Sequence, residues 1–429
     1  MNGLYQASLD YLHQAKATIP LGSQTFSKSY MSIPMGGGPL FVEKGLGGYF
    51  WDVDGRKYID LVSGLLSVLL GYQDKEVDKA VAAQMKKGVT FSLPHRVEAE
   101  VAEQIVDMVP CAEQVRFGKN GSDVTAGAVR LARAFTGRDF VAVCGYHGWQ
   151  DWYIGSTTRN LGVPEATRAL TLPFKYNDLK SLEDLFEQYP EKIAAVILEP
   201  MNLEYPRDNF LQKVKAICQK NQAVLIFDEM ITGFRLSNGG AQELFGVTPD
   251  LVTLGKGVAN GYPLSVLAGR KDIMCLAEEI FFSFTFGGET LSLCAARAVM
   301  DKLQSEPVIE TICQNGQELM QAVNIMLQEL NLSGSIQLNG HPSWSIFSFQ
   351  DHGQYTLWEL KTFIIQSLCE NGVFMLGSHN VNYAHTRDDI QKILAVYLKT
   401  FQQLKYHIDR GSLHDQLYSQ VLSPLFSVR

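Results

Sequence analysis

The stretch from Ala223 to Leu267 constrains the fold most. Its first part, Ala223-Val224-Leu225-Ile226-Phe227, is five consecutive apolar residues that stop at Asp228-Glu229. Such a run reads as a strand buried on both faces whose C-terminal end opens into a cleft. A second run, Leu251-Val252-Thr253-Leu254, leads into Gly255-Lys256-Gly257, and a third apolar run lies just beyond. This predicts a strand ending in Lys256. The flanking glycines let the backbone turn sharply, with the amine pointing into the protein. Burial disfavours the charged form and frees a nucleophilic amine. A lysine of that kind can hold a carbonyl cofactor as a Schiff base, and a carboxylate such as Asp228 can pair with a protonated pyridine nitrogen. Pyridoxal phosphate needs both. Each fragment alone also has a plainer reading, as a capping or surface turn at Asp228-Glu229 and a solvated turn at Gly255-Lys256-Gly257.

The flanking chain supports an α/β fold. Val115-Arg116-Phe117, Phe140 to Gly145 and Ile193 to Leu198 read as strands, and Asp123 to Thr136 and Asn209 to Lys220 as helices. Strands alternating with helices predict a mainly parallel sheet, helices on both faces, and a site at the strand C-termini. Leu4 to Thr18 is helical in pattern, within an arm that packs on another surface or frays. Leu40 to Leu61 reads as an antiparallel meander with a turn at Asp54-Gly55. Helical patterns at 309–330, 356–371 and 388–407, with strand-like stretches within 335–349, predict a smaller α+β domain. The expected division is 1–50 for the arm and the start of the small domain, 51–303 for the large domain and 304–429 for the small one.

At 429 residues the chain is long enough for more than one core, since single cores rarely grow beyond about 250–300 residues. A net charge of -8, spread along the chain, argues against nucleic acid or an anionic membrane as principal partner. No apolar run reaches the roughly 18 residues of a membrane span. The first residues lack the pattern of a secretory signal, and the seven cysteines form no Cys-x-x-Cys pair. Both features predict a cytoplasmic protein with reduced thiols and no structural metal.

Three loops carry weaker signals. Lys119-Asn120-Gly121-Ser122-Asp123 precedes a helix whose free amides suit phosphate, or in which Ser122 or Asp123 is simply a cap. Gly145-Tyr146-His147-Gly148-Trp149 follows a buried strand; an aromatic there stacks on a cofactor ring or belongs to the core, and His147 reads as structural. Thr285, in Ser283 to Thr290, either donates to phosphate or sits in an ordinary turn before a helix. Glu229 and Glu199-Pro200 read as turn or capping residues.

Several segments carry a family resemblance: Pro39 to Lys44, Trp51-Asp52-Val53-Asp54-Gly55, Arg130 to Asp139, Asp228-Glu229-Met230-Ile231-Thr232-Gly233-Phe234-Arg235 and Leu254-Gly255-Lys256. The sequence resembles the class III, fold-type I pyridoxal-phosphate aminotransferases, and within them the glutamate-1-semialdehyde aminomutase branch, over nearly the whole chain. The resemblance implies a large domain with a mainly parallel seven-stranded sheet. It implies that Lys256 forms the internal aldimine and shuttles protons, and that Asp228 pairs with the pyridine nitrogen. Tyr146 and Met230 then cover the two ring faces, and Gly121, Ser122 and the Asp123 backbone bind phosphate. Thr285 reaches the phosphate of a neighbouring subunit, implying a homodimer.

The departures bear on the reaction. The phosphate loop reads Asn-Gly-Ser-Asp where the family usually shows Asn-Ser-Gly-Thr, and Ile231 replaces a frequent glutamine. Lys28 stands where the aminomutase branch places an arginine, whose planar fork suits a carboxylate better than a point charge. The lid at Ile154 to Asn160 is shortened, and Gly377 to Tyr383 lacks residues. These losses favour transfer of an amino group from an amino-acid donor, taken as L-glutamate, to an external carbonyl acceptor. A weak likeness of the Gln24–Lys28 loop and the 149–159 segment to a sub-branch of surface-carbohydrate and small-metabolite pathways points to a sugar-like or other polar acceptor. An aminomutase and a non-catalytic scaffold on the same fold are the alternatives; retention of Lys256 and Asp228 argues against the scaffold. Lys28, Trp149, Trp152, Arg159 and His379 are candidate pocket residues, each with an equally good structural role.

Overall fold

The computed structural model describes residues 4–424. Contacts divide the chain into two units. Of the described residues, the first contains 4–65, Leu70–Asp74 and 310–424; the second contains Leu66–Leu69 and Lys75–Ile309. Among the described residues no helix is long and apolar enough to cross a membrane.

The first unit begins with the helix Gln6–Lys16 and the antiparallel meander β1 (Val42–Leu46), β2 (Tyr49–Asp52) and β3 (Lys57–Asp60). Gly55 makes the β2–β3 turn with φ +81°, a left-handed conformation that glycine adopts without strain. Its neighbour Asp54 does more than shape that turn. The Asp54 carboxylate accepts hydrogen bonds from the amides of Ala7 (2.7 Å) and Ser8 (3.0 Å), donors at the start of the Gln6–Lys16 helix that have no partner within the helix. The N-terminal helix is thereby tied to its own unit.

The second unit holds β4 (Gln114–Gly118), β5 (Phe140–Cys144), β6 (Thr171–Pro173), β7 (Ile193–Leu198), β8 (Val224–Glu229), β9 (Leu251–Leu254) and β10 (Ser265–Gly269), in the order β4-β10-β9-β8-β7-β5-β6. Strands β5 to β9 pair in parallel, and β10 runs antiparallel to β4 and β9. Every residue of β7 and β8 is buried, as their unbroken apolar runs require. The helix Gly121–Thr136 lays Val124, Ala128, Leu131 and Ala132 at helical spacing on Val141, Val143, Ile197 and Ile226. The strand expected to end in Lys256 stops at Leu254, and a 3-10 turn spans Lys256–Ala259. Lys256 itself is left-handed at φ +45°, so the chain leaves the ladder two residues early and swings the side chain aside.

The chain returns to the first unit with β11 (Ile336–His341), β12 (Trp344–Phe349), β13 (Val373–Phe374) and β14 (Ser378–His379), and the helices Leu357–Glu370 and Arg387–Asp409. β13 pairs in parallel with β3, and β14 joins β12. The two ends of the sequence thus share one sheet.

Replacing Asp54 by Ala is expected to cost about 1 kcal/mol, the usual value of an N-terminal cap. Hydrogen exchange should quicken in residues 6–16 and stay unchanged across β4 to β10. Equal quickening in both units would contradict a local role for Asp54.

Candidate active site

Asp228 and Glu229, adjacent on β8, point to opposite sides because side chains alternate along a strand. Glu229 is fully buried and accepts from Thr232 Oγ1 (2.7 Å), from the Ala241 amide and from Gln242. These bonds lash the loop after β8 to the strand. Asp228, 3 % exposed, accepts at Oδ1 from the Met230 amide (3.1 Å) and Thr253 Oγ1 (3.3 Å), and at Oδ2 faces His147 Nδ1 at 2.8 Å. Three donors from three segments aim this carboxylate. His147 is therefore a partner of Asp228 and structural in a sense the sequence did not specify.

Lys256, beyond β9, lies deep in the protein yet keeps part of its surface accessible. Burial pulls its amine below the ordinary lysine range, opposed by the negative charges of Glu199 and Asp228 and aided by Arg235. Glu199, at the end of β7, is buried and accepts from the Tyr146 amide (3.0 Å) and Asn202 Nδ2 (2.9 Å). Burial raises its pKa, and Asp228 adds to the rise. Sequence reasoning set Glu199 aside as a turn residue; its position at the end of an unbroken apolar strand was the available signal.

The start of the helix Gly121–Thr136 forms the third side. Asp123 folds back to accept from the amides of Lys119 (3.2 Å) and Asn120 (2.8 Å), so it is a cap. The Asp123 amide donates to the Asn120 carbonyl at 3.0 Å, so the expected Asp123 backbone contact to phosphate is already spent within the turn. The Gly121 and Ser122 amides, the first two of the helix, remain available to an anion. Ser122 Oγ accepts from the Trp149 amide at 3.2 Å. It fills the space a Cβ at Gly148 would take, and Gly148 has φ +104°. Met230 sits where a Cβ on either Gly121 or Gly255 would strike its sulfur, at 2.9 and 2.7 Å. Two glycines thus let Met230 lie between the helix start and the Lys256 turn.

The other candidates separate clearly. Tyr146 is half exposed at the end of β5 and meets Tyr153 edge-on at 5.7 Å. Trp149 and Arg159 are exposed, whereas Trp152 is buried against His147. Thr285 is exposed in the loop before the helix Thr290–Ser305. Lys28 and His379 belong to the first unit. Burial raises the pKa of Asp60, and exposed Lys28 is close enough to oppose part of that rise. His379 is fully buried, its nitrogens taken by Ser345 Oγ (3.1 Å) and Tyr397 OH (2.6 Å), and burial pushes its pKa down to about 3. With both nitrogens engaged it is a core residue, which corrects its candidacy as a substrate contact.

An amine made nucleophilic by burial, a carboxylate at a strand end, and two helix-start amides within one α/β unit fit pyridoxal phosphate. The fold is that of a pyridoxal-phosphate-dependent transaminase: the FumI protein of Sphingopyxis sp. MTA144, solved in its PLP internal aldimine form, superposes with TM-score 0.89 at 28% identity, over 96% of this chain and 100% of that one. The chain belongs to the class-III aminotransferase family, whose model matches residues 32–389. It is 32% identical to 3-aminobutyryl-CoA aminotransferase of Cloacimonas acidaminovorans, over 93% of this chain and 97% of that one. It is also 32% identical to glutamate-1-semialdehyde 2,1-aminomutase of Francisella philomiragia, with the same coverage. Its cofactor is pyridoxal phosphate.

Gly148→Ala should push the Ser122 hydroxyl aside and weaken cofactor binding, read by fluorescence titration of the cofactor-free protein. Gly137→Ala is the control: φ there is +67° with open space around the added methyl. It should cost roughly 1–2 kcal/mol of stability through backbone strain alone and leave cofactor affinity unchanged. Equal loss of affinity in both variants would reject the contact argument.

Proposed function

We propose that the protein transfers the amino group of an amino-acid donor, L-glutamate, to a small polar or sugar-like carbonyl acceptor. The observation that carries this reading is Lys256: a deep amine with a lowered pKa, beside the charges of Asp228 and Glu199. Bound pyridoxal phosphate supplies an electron sink and the carbonyl that carries the amino group between substrates. Lys256 Nζ would hold the cofactor and take up and return the proton at the donor's α-carbon. Asp228 would pair with the pyridine nitrogen. Tyr146 and Met230 would flank the ring, and the Gly121 and Ser122 amides would hold the phosphate.

Exposed Thr285 is assigned to the phosphate site of a second copy, which makes the working unit a homodimer. Exposed Trp149, Arg159 and Lys28 are assigned to substrate. Seven cysteines with no Cys-x-x-Cys pair suit a reducing compartment, and the cytoplasm is the proposed location. The loss of an arginine at position 28 and the shortened 154–160 segment favour transfer to an external acceptor over isomerisation within the site.

Adding L-glutamate to the cofactor-loaded protein is expected to bleach its visible band and release one equivalent of 2-oxoglutarate. An unmoved spectrum would reject glutamate as donor. Lys256→Ala should abolish turnover, and turnover by that variant would remove Lys256 from the mechanism.

Burial of Lys256 has a second consequence in the cofactor-free protein. Its folded pKa lies below the ordinary 10.5, so between the two values the unfolded chain binds more protons. This group's contribution therefore makes stability rise with pH across that window. Lys256→Met should be more stable than wild type at neutral pH, with the difference shrinking as pH approaches 10.5. A constant difference across denaturant titrations at several pH values would show that the lysine is not desolvated.

A further inference from the structure

His147 and Trp152 form a buried pair behind Asp228. Their rings lie 13° from parallel with centroids 6.3 Å apart, and the residues are 1 % and 8 % exposed. Each has one ring nitrogen enclosed by protein with no hydrogen-bond partner, Nε2 of His147 and Nε1 of Trp152. The other nitrogen of His147, Nδ1, faces Asp228 Oδ2 at 2.8 Å. With the Asp228 carboxylate as acceptor, Nδ1 is the donor, and in that neutral tautomer Nε2 is an acceptor. Indole Nε1 is a donor only. The two unpartnered atoms are thus complementary.

Thr125 Oγ1 donates to the His147 carbonyl at 2.9 Å and Tyr153 OH to the Gly145 carbonyl at 2.7 Å, so neither proton is left for His147 Nε2. Buried polar groups are nearly always satisfied by protein or by an ordered water, and a water needs at least two polar partners.

We propose that one water molecule bridges the edges of these rings, accepting from Trp152 Nε1 and donating to His147 Nε2, which makes Trp152 a positioning residue for the cofactor. The water's proton on Nε2 fixes the tautomer that presents Nδ1–H to Asp228. The flat indole fixes the plane of the imidazole. Asp228 is then an aimed acceptor for the pyridine nitrogen. The effect on the cofactor rests on the proposed role of Asp228; the water and the tautomer do not.

The test uses full-length protein without cofactor, labelled with ¹⁵N-histidine, with the His147 signals assigned through His147→Gln. Wild type should show an unprotonated Nε2 that receives a hydrogen bond. Trp152→Phe keeps an aromatic ring and removes the donor, so the Nε2 signal should move to that of an unbonded nitrogen. Cofactor affinity should fall roughly five- to tenfold, the effect of about one buried hydrogen bond. An Nε2 signal identical in wild type and Trp152→Phe overturns the proposal. A high-resolution crystal structure of the wild type is a second test that needs no variant. Solvent density within hydrogen-bond distance of both nitrogens supports the water, and protein atoms filling that space overturn it. Asp228→Asn separates the two readings: unaltered cofactor affinity in that variant would reject the role of Asp228 and leave the ¹⁵N result standing.

Discussion

Two carboxylates next to each other at the end of β8 fix the geometry on which the site depends. Ionised or not, Glu229 and Asp228 are costly to bury, and each is retained because the fold surrounds it with donors. Glu229 uses its acceptors to hold the loop at Thr232 and the turn at Ala241-Gln242. Gly240, at φ +79°, lets that turn approach closely, since a Cβ there would strike the Glu229 carboxylate. With the loop held on one side of the sheet, Asp228 is presented on the other. A parallel strand buried on both faces makes this possible, because its end is the first place where polar side chains can be gathered from neighbouring strands.

The gathering follows the strand order. β7, β8 and β9 are adjacent, and their C-terminal ends deliver Glu199, Asp228 and the turn carrying Lys256. β5, on the far side of β7, delivers Tyr146 and His147. Antiparallel β10 reaches the site differently: Ser265 at its start donates to the Asn120 carbonyl at 2.8 Å, steadying the turn before the helix Gly121–Thr136. Each element thus contributes one end, and the helix contributes its amides.

Much of this was legible in the sequence, because strand type and helix position follow from local patterns. The unbroken runs at Ile193–Leu198 and Val224–Phe227 specify buried parallel strands without outside information. The turn at Lys256 was less legible: an apolar run into a glycine does not say where pairing stops, and the left-handed backbone at Lys256 shortens β9. Asp123 illustrates a different limit. Cap and phosphate contact predict the same residue types at a helix start, and only the bond from the Asp123 amide to Asn120 separates them. His147, Glu199 and Trp152 were hidden for a third reason. Their roles depend on partners 81, 53 and 5 positions away meeting at one place, which follows from topology and not from spacing. His379 misled in the opposite direction, since a histidine near the site in sequence pattern proves to be enclosed by Ser345 and Tyr397.

The environment of Lys256 joins stability to reactivity. Taking an ammonium out of water is unfavourable, so burial lowers the lysine's pKa and weakens the folded state wherever the amine is still protonated in the unfolded chain. Glu199 and Asp228 oppose this by favouring the charged form. Too much compensation would restore an ordinary ammonium, which is no nucleophile; too little would leave the fold strained at neutral pH. Burial raises the pKa of Glu199, and the nearby Asp228 charge raises it further. A protonated Glu199 would exert no charge on Lys256, leaving Asp228 as the principal counter-charge. His147, at 2.8 Å from one oxygen of Asp228, fixes where that carboxylate stands and so where its charge acts on Lys256.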